Sequence, residues 1–207
     1  MYLPIGRKSY VSSGIAAWLT IVMPGWCPST LAAAHKPLPF VFYDTEGAPH
    51  AASGWSSAKA VVLFFLTTDC PLSNGYVPEM NRIAREYASR GVLLYGVLGD
   101  ATVHPADATR HVRDFEYRFP VLLDPDQNLA QYTGATVTPE VAVLNGAGTL
   151  LYLGRIDNSV ERFGTRRFKP SRLDLRDALD SVLAGRPVVH PRTTAFGCAI
   201  TYARKGN

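Results

Sequence analysis

The chain has 207 residues, 47% of them hydrophobic, 11% aromatic and 18% charged, with a formal net charge of +4. That is enough for one globular domain with a sizeable core, and too little for two large ones. The aromatic content and modest charge exclude intrinsic disorder. No Gly-X-Y period, heptad run or long repeat is present, so fibres and solenoids are excluded too. Three cysteines are too few for a disulfide scaffold or a four-thiolate zinc site.

Residues 1–34 carry Arg7 and Lys8 and no acid. An apolar stretch from Gly14 to Met23 follows, shorter than the ~20 residues that span a bilayer. Ala32-Ala33-Ala34 then offers small residues before the chain turns polar at His35. This pattern reads as a cleavable secretory signal peptide, cut near Ala34, and implies a periplasmic or secreted protein with no stable membrane insertion. An uncleaved anchor helix, disfavoured by Pro24 and Pro28, and a lipoprotein cut before Cys27, disfavoured by the bulky Trp26, are the alternatives. Losing Arg7 and Lys8 lowers the net charge from +4 to +2, so charge argues for no nucleic-acid partner. Cys27 leaves with the segment. Cys70 and Cys198 remain, in an oxidising compartment where two thiols can pair.

In the mature chain, residues 39–44 read as a short strand ended by the turn Thr45-Glu46-Gly47. Lys59–Leu66 is a continuous apolar run suited to a central strand buried on both faces. Ser73 or Asn74 is expected to cap the next helix, which contains Pro78 and runs to about Ser89. Gly91–Leu98 is a second buried strand. Residues 105–118 carry a helical pattern with Phe115 and Phe119 on its apolar side. Val121–Leu123 is a short strand, and Leu129–Tyr132 make one or two helical turns. Val141–Leu144 and Leu150–Gly154 flank Asn145-Gly146-Ala147-Gly148, a hairpin signal. Ser171 is expected to cap a last helix, Arg172–Ala184, which ends at Gly185 and Pro187. Three parts follow: a signal peptide over 1–34, an α/β domain with a mixed central sheet flanked by helices over 35–186, and an extended tail over 187–207.

Cys70 falls directly after a buried strand and directly before a helix. A thiol there faces unpaired helix N–H groups and the positive end of the helix dipole, which favour the nucleophilic thiolate. The other reading is a buried structural cysteine. Cys70-Pro71-Leu72-Ser73, with Pro78 five residues farther on, resembles the thioredoxin active site with serine in place of its second cysteine. Thr138-Pro139 resembles the cis-proline that faces the active sulfur in that fold, and Thr138-Pro139-Glu140 is a form the loop takes in periplasmic thioredoxin-like reductases. The 69-residue gap between Cys70 and Pro139 is similar to that of the redoxins, the alkyl hydroperoxide reductase/thiol-specific antioxidant group and its thiol-disulfide relatives. The resemblance covers roughly residues 38–184. It implies a thioredoxin-like fold and a thiol-dependent oxidoreductase acting on a peroxide or a protein disulfide, with an external thiol reductant and no cofactor.

The sequence also departs from that pattern. Ser73 cannot close a disulfide, although it can donate a hydrogen bond to a Cys70 thiolate. Phe64 stands six residues before Cys70, where thioredoxins bury an acid. Against the peroxiredoxin pattern Pro-x-x-x-Thr-x-x-Cys, Thr67 is in place and is expected to stabilise the thiolate, but Leu63 replaces the proline. Arg155 is the nearest candidate for a peroxide-polarising arginine, although an arginine so placed is more often an ordinary strand-end residue. The resemblance to two-cysteine peroxiredoxins implies Cys198, in a tail whose Phe196 and Ile200 are suited to docking, as the resolving thiol. A permanent Cys70–Cys198 bridge, worth about 5 kcal/mol in the chain-entropy model, Cys198 acting alone, and a disulfide between chains are the alternatives. Thr138 and Pro139 would hold substrate backbone beside Cys70.

Two other constellations remain. A copper site of Cys70, Cys198 and His190 is conceivable, though the five histidines are scattered. Arg155, Arg162, Arg166, Arg167, Lys169, Arg172 and Arg176, interleaved with acids, read as a salt-bridged surface or as a rim that steers an anionic substrate. The sequence carries no phosphate loop, nucleophile elbow or paired catalytic acids. A reading of a different class is a non-catalytic binding or copper-handling protein that kept the fold.

Overall fold

The computed structural model describes residues 40–162, 165–167 and 169–202, with the backbone alone at 161, 162 and 166. The expected signal segment 1–34, its cut near Ala34, and the side chains of Arg162 and Arg166 lie outside the described residues. Among the described residues no helix is long and apolar enough to cross a membrane.

The strand β1 (Val41–Asp44) forms a hairpin with β2 (Pro49–Ala51), and a 3-10 turn over Ala52–Ser57 follows. Next come β3 (Ala60–Leu66), α1 (Pro71–Ala88), β4 (Val92–Leu98), α2 (Pro105–Asp114), β5 (Val121–Leu123) and α3 (Asn128–Thr133). The second half holds β6 (Val137–Thr138), β7 (Glu140–Leu144), β8 (Leu150–Gly154), β9 (Val160–Arg162), β10 (Thr165–Arg166), α4 (Asp174–Leu183) and β11 (Cys198–Ala199). Seven strands make one mixed sheet in the order β2-β1-β5-β4-β3-β7-β8. β3, β4 and β5 run parallel, while β7, β8 and β1 run against their neighbours.

β3 lies near the middle of the sheet, and all seven of its residues are buried, as an unbroken apolar run demands. Its even positions, Ala60, Val62, Phe64 and Leu66, pack with α1, α4 and Ala108 of α2. Its odd positions, Val61, Leu63 and Phe65, pack with Trp55 of the 3-10 turn and Leu129 of α3. The buried residues of α1 are Ser73, Tyr76, Val77, Met80, Ile83, Ala84 and Tyr87, one stripe at helical spacing.

Several local expectations are corrected. α1 starts at Pro71 with Cys70 as its N-cap residue, so neither Ser73 nor Asn74 caps it. Proline suits the first helical position because its missing N–H would be unpaired there anyway. α2 stops at Asp114, which leaves Phe115 at the helix end and 40% exposed, while Phe119 is buried. α4 begins at Asp174, and Ser171 instead binds Asn158 through its N–H (2.9 Å) and its hydroxyl (2.9 Å). The buried Asp174 carboxylate receives Arg155 (2.8 Å) and Arg172 (3.0 Å). Arg155 is therefore taken up by a structural ion pair. Arg176 likewise pairs with Glu79 and Glu86 of α1.

Residues 187–202 form a strap across the domain. Leu153 N–H donates to Pro191 (3.0 Å) and Thr193 N–H to Leu153 (3.2 Å), so the strap covers the outer edge of β8. A Cβ at Gly154 would overlap Thr193, which makes glycine necessary at that crossing. Phe196 then packs on the α1 side of the core, and Ile200 and Tyr202 on the α3 side.

Candidate functional site

Three elements converge on Cys70. The end of β3 delivers it, α1 begins at it, and β6 faces it across the fold. Its side chain is fully buried, and its Sγ donates to the Thr138 carbonyl at 3.2 Å. The Thr138–Pro139 peptide bond is cis. Glu140, the residue after it, is itself buried and accepts from the Thr136 N–H (2.7 Å) and the Val137 N–H (3.4 Å). The loop carrying Thr138 is thus held from within.

The strap supplies the second thiol. β11 pairs antiparallel with β6, Cys198 opposite Thr138 and Ala199 opposite Val137. Thr138 Oγ1 also donates to the Cys198 carbonyl at 3.5 Å. Both cysteines are free thiols, Cys70 buried and Cys198 partly exposed. Burial opposes ionisation of Cys70. Hydrogen bonds from the Cys198 thiol and from the N–H groups of Ser73, Cys198 and Leu72 outweigh it, and the Cys70 pKa lies below its ordinary value. For Cys198, burial, the hydrogen bond to Cys70 and the charges of Cys70 and Asp69 all act the other way, and its pKa is pushed up to about 11. The site therefore holds one thiol poised to ionise and one kept protonated beside it.

Two expected roles are corrected by geometry. Thr67 Oγ1 donates to Asp69 Oδ1 at 2.9 Å, so its hydroxyl proton serves a carboxylate rather than the Cys70 sulfur. Ser73 acts on Cys70 through its backbone N–H, and its buried Oγ has no hydrogen-bond partner. Phe64, in the position of the thioredoxin acid, is fully buried and packs against Phe119 with ring centroids 5.5 Å apart. Among the described residues no three His, Cys, Asp or Glu side chains gather in a metal-binding group, and His190 is exposed.

Sequence reasoning missed three residues. Tyr117 is buried, its hydroxyl lacks a partner, and its pKa is raised by burial and then by the charge of Cys70. Asp69 holds Thr67 and acts on Cys198. Gly197 lets the strap reach the loop, because a Cβ there would overlap the Thr138 carbonyl. The glycine next to Cys198 was visible in the sequence, but the close approach that requires it was not. A cavity of about 440 Å³ opens beside the pair, bounded in part by Thr67, Asp69, Thr102, Thr138, Cys198 and Tyr202.

A buried thiol at a strand-to-helix junction, facing a cis-proline loop over a mixed sheet, defines a thioredoxin-like thiol protein. The Redoxin family model matches residues 33–166, and the chain belongs to that family, whose members are typically thiol oxidoreductases or peroxiredoxins. An uncharacterized conserved protein from Geobacillus kaustophilus has a similar structure, with 26% identity and a TM-score of 0.71 over 84% of this chain and 94% of that one. A hypothetical protein from Sinorhizobium meliloti 1021 is similar at 24% identity and a TM-score of 0.70, over 83% of this chain and 94% of that one. A candidate thiol:disulfide interchange protein DsbE from Chlorobium tepidum, at 20% identity and a TM-score of 0.56 over 72% and 96% of the two chains, shares the fold. No curated protein matches the chain.

Proposed function

We propose that the protein is a periplasmic or secreted thiol oxidoreductase in which the Cys70 thiolate attacks the oxidant and Cys198 resolves the product. The observation that carries this reading is the pairing of Cys198 with Thr138, whose carbonyl is the Cys70 hydrogen-bond partner. A strap that brings the last thiol of the chain onto the reactive one suits a second chemical step.

With a hydroperoxide, the Cys70 thiolate attacks the terminal peroxide oxygen and breaks the O–O bond. Cys70 becomes a sulfenic acid, and the leaving alkoxide or hydroxide takes a proton to become an alcohol or water. Cys198 then gives up its proton and attacks the Cys70 sulfur, expelling the hydroxyl as water and forming the Cys70–Cys198 disulfide. With a disulfide substrate, Cys70 forms a mixed disulfide and releases one thiol, and Cys198 attack on Cys70 releases the other. In both cases an external dithiol returns the pair to thiols and is itself oxidised. The N–H groups of Leu72 and Ser73 favour the thiolate that starts each cycle.

Intact mass with thiol labelling of the full chain tests this. Reduced protein should take label at Cys70 and Cys198, besides Cys27 where residues 1–34 are retained. One equivalent of hydrogen peroxide should remove the Cys70 and Cys198 labels with a loss of two hydrogens, and a dithiol should restore them. Labels at Cys70 and Cys198 that persist after peroxide and after a small disulfide overturn the reading.

A further inference from the structure

Among the described residues, the β6 edge beside the Cys70 sulfur is already occupied. Thr138 accepts from the Cys70 Sγ at 3.2 Å, so an extended polypeptide that carries a disulfide to this sulfur must run along β6. Adding a strand to an open edge is the ordinary way a fold binds such a peptide. Here β11 fills that edge by pairing with Val137 and Thr138. Three further contacts extend the seal, from Ile200 N–H to Thr136 (2.9 Å), from Gln127 Nε2 to the Thr201 carbonyl (2.8 Å), and from the Tyr202 hydroxyl to Ala135. Gly197 stands at the closest approach, where any Cβ would strike the Thr138 carbonyl carbon and oxygen and the Pro139 nitrogen.

A small molecule meets a different obstacle. The cavity of about 440 Å³ reaches Cys198 and Thr138 without any displacement of the strap backbone. Cys70 itself does not line the cavity, but Cys198, whose thiol hydrogen-bonds the Cys70 sulfur, does. Among the described residues the wall includes Asp69 and Asp100 and no lysine, arginine or histidine, which favours an uncharged entrant over an anionic one.

We propose that Gly197 is a specificity-determining residue, seating a built-in strand on the Thr138 edge so that Cys70 admits small uncharged oxidants and excludes extended polypeptides. This rests on Cys70 being the reactive thiol. It narrows the two substrate classes left open above to the small one.

The test compares two mixed disulfides of the same chromogenic thiol on the full chain, one with 2-mercaptoethanol and one with a cysteine-containing ten-residue extended peptide, so that the leaving thiol is identical. In each, the Cys70 thiolate bonds to one probe sulfur and the other half leaves as a thiol, so both rates read the same step. Wild-type protein should react with the small probe at least about tenfold faster than with the peptide. Gly197→Ala should raise the peptide-to-small rate ratio about tenfold, the change that ~1.4 kcal/mol of lost strap contacts produces. Tyr202→Phe, which loosens the strap without a new clash, should move the ratio the same way by less, and circular dichroism checks that both variants fold. Comparable wild-type rates, or a ratio that neither variant changes, overturn the gate alone. A Cys70 inert to both probes in every variant overturns the thiol chemistry and the gate together.

Discussion

At the β3–α1 junction Cys70 is held by its own sequence neighbours. The apolar run of β3 ends, Pro71 opens α1, and the N–H groups of Leu72 and Ser73 turn toward the sulfur. The strap holds Cys198 by other means. Its partner Thr138 is 60 positions away in the chain, and the contacts that seat it are main-chain pairs, two glycine crossings and a few side-chain anchors. One thiol is placed by local geometry and tuned toward the thiolate. The other is placed by long-range docking and kept protonated. The division suits a cycle in which the first thiol must attack at once and the second must wait until there is a product to resolve.

Substitutions can break this comparison at either end. The largest effect is expected from Cys70→Ser, which removes the one thiol with a lowered pKa among the described residues and should cut peroxide or disulfide turnover by more than about a thousandfold. A steady-state assay with a dithiol reductant reads it, and residual turnover within tenfold of wild type would move the chemistry away from Cys70. Cys198→Ser should slow turnover by about tenfold or more unless a small thiol is added, and mass spectrometry should then find the intermediate on Cys70. Full activity without added thiol would leave the strap as a cover only.

Gly154→Ala acts on the strap from a distance. Its Cβ would overlap Thr193 at the β8 crossing, and forcing an extra carbon into a packed contact costs about 1–3 kcal/mol. Thermal unfolding should register that loss, with faster proteolysis near residue 193 and little change in the pH at which Cys70 ionises. Asp69→Asn should give the smallest effect. Removing that charge lowers the Cys198 pKa from about 11 only slightly, because burial and Cys70 contribute more. A pH titration of alkylation reads both thiols. In wild type, Cys70 should gain reactivity at lower pH than an ordinary thiol, and Cys198 only in strong base. The same order of ionisation reversed would contradict the assignment of roles.

Much of the fold was legible because its signals are local. β3 and β4 follow from uninterrupted apolar runs, the β7–β8 hairpin from Asn145–Gly148, and the cis-proline loop from Thr138-Pro139. The misplaced caps show where local reading stops. Ser73, Asn74 and Ser171 are good capping residues by type, but the helices begin at Pro71 and Asp174, since burial of the β3 end and of the Asp174 carboxylate set where the chain turns. Thr67 was expected to stabilise the Cys70 thiolate, and its hydroxyl instead donates to the carboxylate of Asp69. The short strands β2, β9 and β10 carry too few residues for any period to show.

The sequence by itself determined the α/β class, the buried central strand and the position of a thiol at a helix start, because each depends on residues within one turn or one strand. It also presented a second cysteine in a tail without a period. Only the tertiary structure decided that the tail lies on β6 with Cys198 opposite Thr138, that Arg155 belongs to Asp174, and that Gly154 and Gly197 are crossing points. Those outcomes come from main-chain hydrogen bonds and close approaches between segments tens of residues apart. Such contacts depend on the shape of the assembled sheet, and no local pattern of side chains encodes them.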